Sequence, residues 1–112
     1  MASIAKETEH KIGQLQMFEK SLQNFLAQKQ QFQMQLAETE SALKELESAE
    51  EAYKIVGNLM VKGDKDSLKK DLNEKKEIFD LRIMTIEKQE KDTREKALKL
   101  QQEVMSELKP KK

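Results

Sequence analysis

Tyr53-Lys54-Ile55-Val56-Gly57-Asn58-Leu59-Met60-Val61-Lys62 sets two short runs of β-formers on either side of a Gly-Asn pair. The stretch predicts a tight hairpin with a two-residue loop, pairing Val56 with Leu59 and Ile55 with Met60. Apolar side chains then fall on both faces of a two-stranded ribbon, and such a ribbon alone is unstable in water. Pairing with hairpins from other chains would bury those faces and close the strand edges, so the sequence predicts an oligomer.

On both sides of the hairpin the chain runs long without punctuation: glycine stands only at 13, 57 and 63, and proline only at 110. In the first arm Leu15, Phe18, Leu22, Phe25, Phe32, Leu36, Leu43 and Leu46 recur at alternating steps of three and four, with Lys29 and Thr39 as polar fillers. In the second arm Leu72, Phe79, Ile83, Ile86, Thr93, Ala97, Leu100 and Val104 do the same, with Lys76 and Glu90 as the interruptions. These are two heptad seams. They predict helices over 3–47 and 66–108, about 45 and 43 residues, each roughly 65 Å long. Asp64 or Asp66 supplies the cap of the second helix. Helices of matched length joined by the short linker 48–65 can cover each other's seams only by folding back. The expected fold is therefore mainly α: a long antiparallel two-helix coiled-coil hairpin with one short β-hairpin at the connection, residues 1–112 forming a single domain with both chain ends at one tip.

Composition narrows the function. Charged residues make up 38% and aromatics 4%, which leaves little material for a globular core. The 21 basic and 21 acidic residues cancel, so no net positive field gathers phosphates and nucleic acid is not expected as a partner. An RNA-binding helical arm would need Lys or Arg clustered on one face, and the interleaved Glu residues oppose that. No apolar run approaches a membrane span and Met1 to His10 lacks a signal-peptide core, so a soluble, cytoplasmic protein without membrane contact is expected. The absence of cysteine excludes disulfides and thiolate metal sites.

Candidate chemistry is sparse. His10 has no second ligand at metal-site spacing and reads as a solvated residue. Glu38/Glu40, Glu45/Glu47 and Glu50/Glu51 lack the cleft that acid–base work needs, and read as solvated faces with Lys partners such as Lys44 for Glu40 and Lys91 for Glu87. No phosphate loop, nucleophile elbow or zinc-protease motif is present, so neither enzyme activity nor any cofactor or metal is expected. Eight glutamines between Gln14 and Gln35 interleave with the heptads and read as helix surface. Phe18, Phe25 and Phe32 share one heptad position and read as core packing. Ile4, Ile12, Val104, Met105 and Leu108 lie near the chain ends, where they are either ordinary end-of-seam packing or an adaptable apolar surface for partners, a use that methionine suits.

Three separated stretches carry a family resemblance. Gln28-Lys29-Gln30, Glu38 and Ala42-Leu43-Lys44-Glu45-Leu46 are similar to the first helix of β-type prefoldin subunits, the archaeal form especially. Tyr53-Lys54-Ile55-Val56-Gly57 resembles their first strand and turn, and Leu81-Arg82 with Thr85-Ile86-Glu87-Lys88-Gln89-Glu90 resembles their second helix. The α-type subunits of that family have two hairpins, which the connection from Ser48 to Lys65 is too short to hold. The resemblance implies a heterohexamer of two α-type and four β-type chains whose hairpins join into a β-barrel platform with six coiled coils below. It further implies an ATP-independent chaperone whose coiled-coil tips hold unfolded client polypeptide and deliver it to a group II chaperonin. On that carry-over Ile4, Ile12, Val104, Met105 and Leu108 bind client, and Tyr53, Ile55, Val56, Leu59, Met60 and Val61 serve oligomerisation. The terminal Lys109-Pro110-Lys111-Lys112 offers cations for an acidic chaperonin surface. A coiled-coil tether whose seam binds a partner helix is the alternative, and would be a monomer or simple dimer.

Overall fold

The computed structural model describes residues 5–109. Helix α1 spans Lys6–Ser48, strands β1 and β2 span Ala52–Val56 and Leu59–Gly63, and helix α2 spans Lys65–Leu108. The expected start of the first helix at Ser3 lies outside the described residues. β1 and β2 pair antiparallel in the predicted register, Val56 opposite Leu59 and Ile55 opposite Met60, closing at Ala52 opposite Gly63. Gly57 turns the chain with φ of 61° while no non-glycine residue among those described takes a positive φ, the signature of a type II′ loop with glycine first.

Both helix ends beside the ribbon are closed by polar groups. The Asp64 carboxylate accepts the backbone N–H of Ser67 at 3.2 Å, and the Asp64 carbonyl accepts that of Leu68 at 2.9 Å. Asp64 is thus the N-cap of α2, and Asp66 lies in the first turn where a negative charge suits the helix dipole. The last turn of α1 contains no basic residue. Its charge comes from across the ribbon: the Lys65 ammonium donates to the carbonyls of Ala49 at 2.9 Å and Glu47 at 3.3 Å. A cation there satisfies carbonyls that the helix itself leaves open.

The chain divides into two compact units, one of residues 30–84 and one of residues 5–29 with 85–109. Within each, contacts run in opposite chain directions on the two helices, so the pairing is antiparallel. In the unit of residues 30–84, the rings of Phe32 and Phe79 lie 6.3 Å apart and the Arg82 guanidinium sits 5.5 Å over Phe32. Leu46 is buried there, and so is Thr39, whose hydroxyl donates to the Gln35 carbonyl at 2.8 Å and so enters the seam with its polar atom satisfied. Glu40, expected to pair with Lys44, lies 3.9 Å from Lys76 on the opposite helix.

In the other unit the buried residues are Thr8, Ile86, Glu90 and Val104. The two polar fillers Lys29 and Glu90 meet each other. The Lys29 ammonium donates to the Glu90 carboxylate at 2.7 Å, with side chains only 21% and 8% exposed. A paired charge inside an apolar seam costs desolvation, but it makes misaligned registers worse, since a slip would strand both groups. Glu90→Leu alone is expected to lower unfolding free energy by about 1–3 kcal/mol, because Lys29 loses its partner in a half-dry site. The double variant Lys29→Leu/Glu90→Leu should recover that loss in urea denaturation. A double variant no more stable than Glu90→Leu would show that the pair is not a coupled unit.

Candidate functional site

Two regions hold the residues singled out by sequence. The first is the ribbon, where alternation places Tyr53, Ile55 and Met60 on one face and Val56, Leu59 and Val61 on the other. None of the six is covered: exposure runs from 43% at Val61 to 70% at Ile55. Glu51 straps the root of the ribbon. Its carboxylate accepts the Tyr53 hydroxyl at 2.8 Å and lies 3.6 Å from the Lys62 ammonium. That hydrogen bond to a carboxylate holds the Tyr53 phenol above its ordinary pKa, with some desolvation acting the same way.

The second region is the paired chain-end portion of α1 and α2. The Glu107 carboxylate accepts the Thr8 hydroxyl at 2.7 Å and the Lys11 ammonium, which also lies 3.6 Å from Glu103. The hydrogen bond to Glu107 raises the Lys11 pKa, and the bonds from Lys11 and then Thr8 lower that of Glu107. Around this polar clasp the expected site residues separate. Val104 is buried in the seam and Ile12 half-buried, whereas Met105 and Leu108 are exposed at 59% and 48%. Ile4 lies outside the described residues. Leu98, one heptad before Met105 on the same side of α2, is equally exposed and was not singled out by sequence. Thr8 was also missed, although it stands seven residues before Leu15 and so falls in the seam register.

Among the described residues no helix is long and apolar enough to cross a membrane, and no three His, Cys, Asp or Glu side chains gather as metal ligands. The family model described as prefoldin subunit matches residues 9–111. The chain belongs to the prefoldin family. It is 38% identical to the prefoldin subunit beta of Thermococcus onnurineus (strain NA1), over 98% of this chain and 97% of that protein. It is 35% identical to that of Archaeoglobus fulgidus with the same coverage. Its fold matches the crystal structure of the prefoldin beta subunit from Thermococcus strain KS-1 with a TM-score of 0.91 at 37% identity, covering 99% of this chain and 100% of that one. The likeness to prefoldin β subunits thus extends over both helices and the single hairpin.

The clasp gives the prefoldin chain ends a defined pH dependence. The folded pKa of Glu107 lies below its ordinary 4.5, so its stabilisation is complete above pH 4.5 and is lost as pH falls through the lowered value. Lys11 lies above its ordinary 10.5, so its part is complete below pH 10.5 and is lost as pH rises through the raised value. Amide protection factors near Thr8, the intrinsic exchange rate at each pH divided by the observed one, are expected to fall outside this window in the native chain. In Glu107→Gln the acid limb should vanish, and an unchanged acid limb would assign it to other carboxylates.

Proposed function

We propose that the chain works as a β-type arm of a prefoldin heterohexamer of two α-type and four β-type subunits, holding unfolded polypeptide without ATP and passing it to a group II chaperonin. Chaperoning is the function of the family to which the chain belongs. The observation that carries the reading is the uncovered ribbon. A ten-residue sheet with six large exposed apolar side chains on its two faces has no cover among the described residues. Burying such side chains contributes on the order of 1 kcal/mol or more each, so joining ribbons into a larger sheet is the natural way to stabilise them. Tyr53, Ile55, Val56, Leu59, Met60 and Val61 form that joint in this reading.

The chain-end region is the client site. Met105 and Leu108 present apolar surface directly, with Val104 and Ile12 behind them in the seam; Ile4, outside the described residues, completes the proposed set. A patch of two or three side chains binds weakly, and several arms acting on one polypeptide convert weak contacts into a firm hold. Weakness of each contact also permits stepwise release, so a client can be handed over as chaperonin contacts replace those of the arms, without nucleotide hydrolysis. The lysines from Lys109 to Lys112 supply charge for an acidic chaperonin surface.

Assembled with an α-type subunit, the protein is expected to suppress aggregation of a denatured client with no ATP present, followed by light scattering. Full aggregation at stoichiometric excess would sink the reading. Met105→Ser/Leu108→Ser should weaken client capture several-fold while the mass of the complex and the melting of the chain stay unchanged. Val104→Ser, by contrast, should destabilise the chain by about 1–2 kcal/mol through lost seam packing. If Met105→Ser/Leu108→Ser dissolves the complex instead, those residues belong to assembly.

A further inference from the structure

An open groove of about 700 Å³ in the unit of residues 30–84 joins the ribbon to the helices, with Ala42, Ala49, Tyr53, Ile55, Leu72 and Ile78 in its lining. We propose that this groove seats apolar hairpin side chains of the adjacent subunit, so that the subunit interface continues beyond the ribbon onto α2 as far as Ile78. The proposal rests on the ribbon being the assembly joint.

Three observations favour that occupant. The first is area. A stable interface buries upward of about 1,000 Å² in total, and edge pairing between five-residue strands, each about 17 Å long, falls short of it. The second is continuity. Tyr53 and Ile55 belong both to the ribbon face and to the groove, and are 54% and 70% exposed; Ile78, on the helical wall, is 49% exposed. An occupant paired to the ribbon on that side therefore has apolar surface running ahead of it without a break. The third is shape and charge. Alanines at 42 and 49 keep the α1 side of the groove low, which leaves room for branched aliphatic side chains of another chain. Lys54 and Lys75 offset all but one of the acidic side chains Glu45, Asp71 and Glu74 in its lining, so the small residual negative charge selects no strongly charged ligand.

The test measures the mass of the complex with the α-type subunit across a dilution series, with helicity and melting of the free chain as controls. Ile78→Glu is expected to raise the concentration at which half the complex has dissociated at least tenfold, leaving the free chain unchanged. Should Ile78→Glu reduce helicity, Ala42→Gln takes its place, since glutamine is a good helix former whose bulk fills the groove from the other side. Val56→Ser/Leu59→Ser, on the ribbon face away from the groove, reports on the ribbon joint alone. If the ribbon variant dissociates while both groove variants assemble normally, the extension onto α2 is overturned and the ribbon joint stands. If all three assemble normally, the ribbon joint falls and the extension with it. Loss of client capture at unchanged complex mass in the groove variants would make the groove a client site, and would equally overturn the proposal.

Discussion

Two helices can cover only one stripe of each other. Most of the structure answers to that constraint. Among the described residues only Leu46, Ile86 and Val104 are apolar and buried; the other seam residues are half-covered, and the ribbon is bare. With so little apolar burial available, polar groups at the interface weigh heavily. The Lys29–Glu90 pair, the internally bonded Thr39 and the clasp of Thr8, Lys11 and Glu107 hold positions that a larger core would fill with hydrocarbon. The same shortage leaves the six large apolar side chains of the ribbon exposed.

The elements were legible because each is written in a short-range code. Steps of three and four marked the seams down to their polar fillers, since a helix repeats its face every 3.5 residues when it pairs. Gly57-Asn58 between β-formers fixed the register of the hairpin, because a two-residue loop leaves one pairing. What the residues did not reveal was which seam position meets which. Lys29 and Glu90 were each recognisable as interruptions, but their partnership depends on how the ribbon feeds α1 into α2, and no local pattern encodes that distance. The same holds for Lys65, a surface lysine by sequence, which reaches back over the ribbon to the end of α1.

The candidate sites were legible to different degrees for a physical reason. Ribbon residues are exposed on both faces, so any apolar side chain there marks itself. On a helix, one residue separates a buried position from an exposed one: Val104 faces the partner helix and Met105 faces water, although both are apolar neighbours in sequence. Leu98 escaped attention because lone apolar residues on helix surfaces are ordinary. It gains meaning only beside Met105, seven residues on.

The Lys65 ammonium, seated on the last carbonyls of α1, has a mechanical consequence. The two strands leave the helices as separate roots, and a ribbon on separate roots could roll about its long axis like a hinge on one pin. A cation at the start of α2 that grips the end of α1 pins the second root to the first. Any torque on the ribbon is thus shared by the adjoining ends of both helices at once.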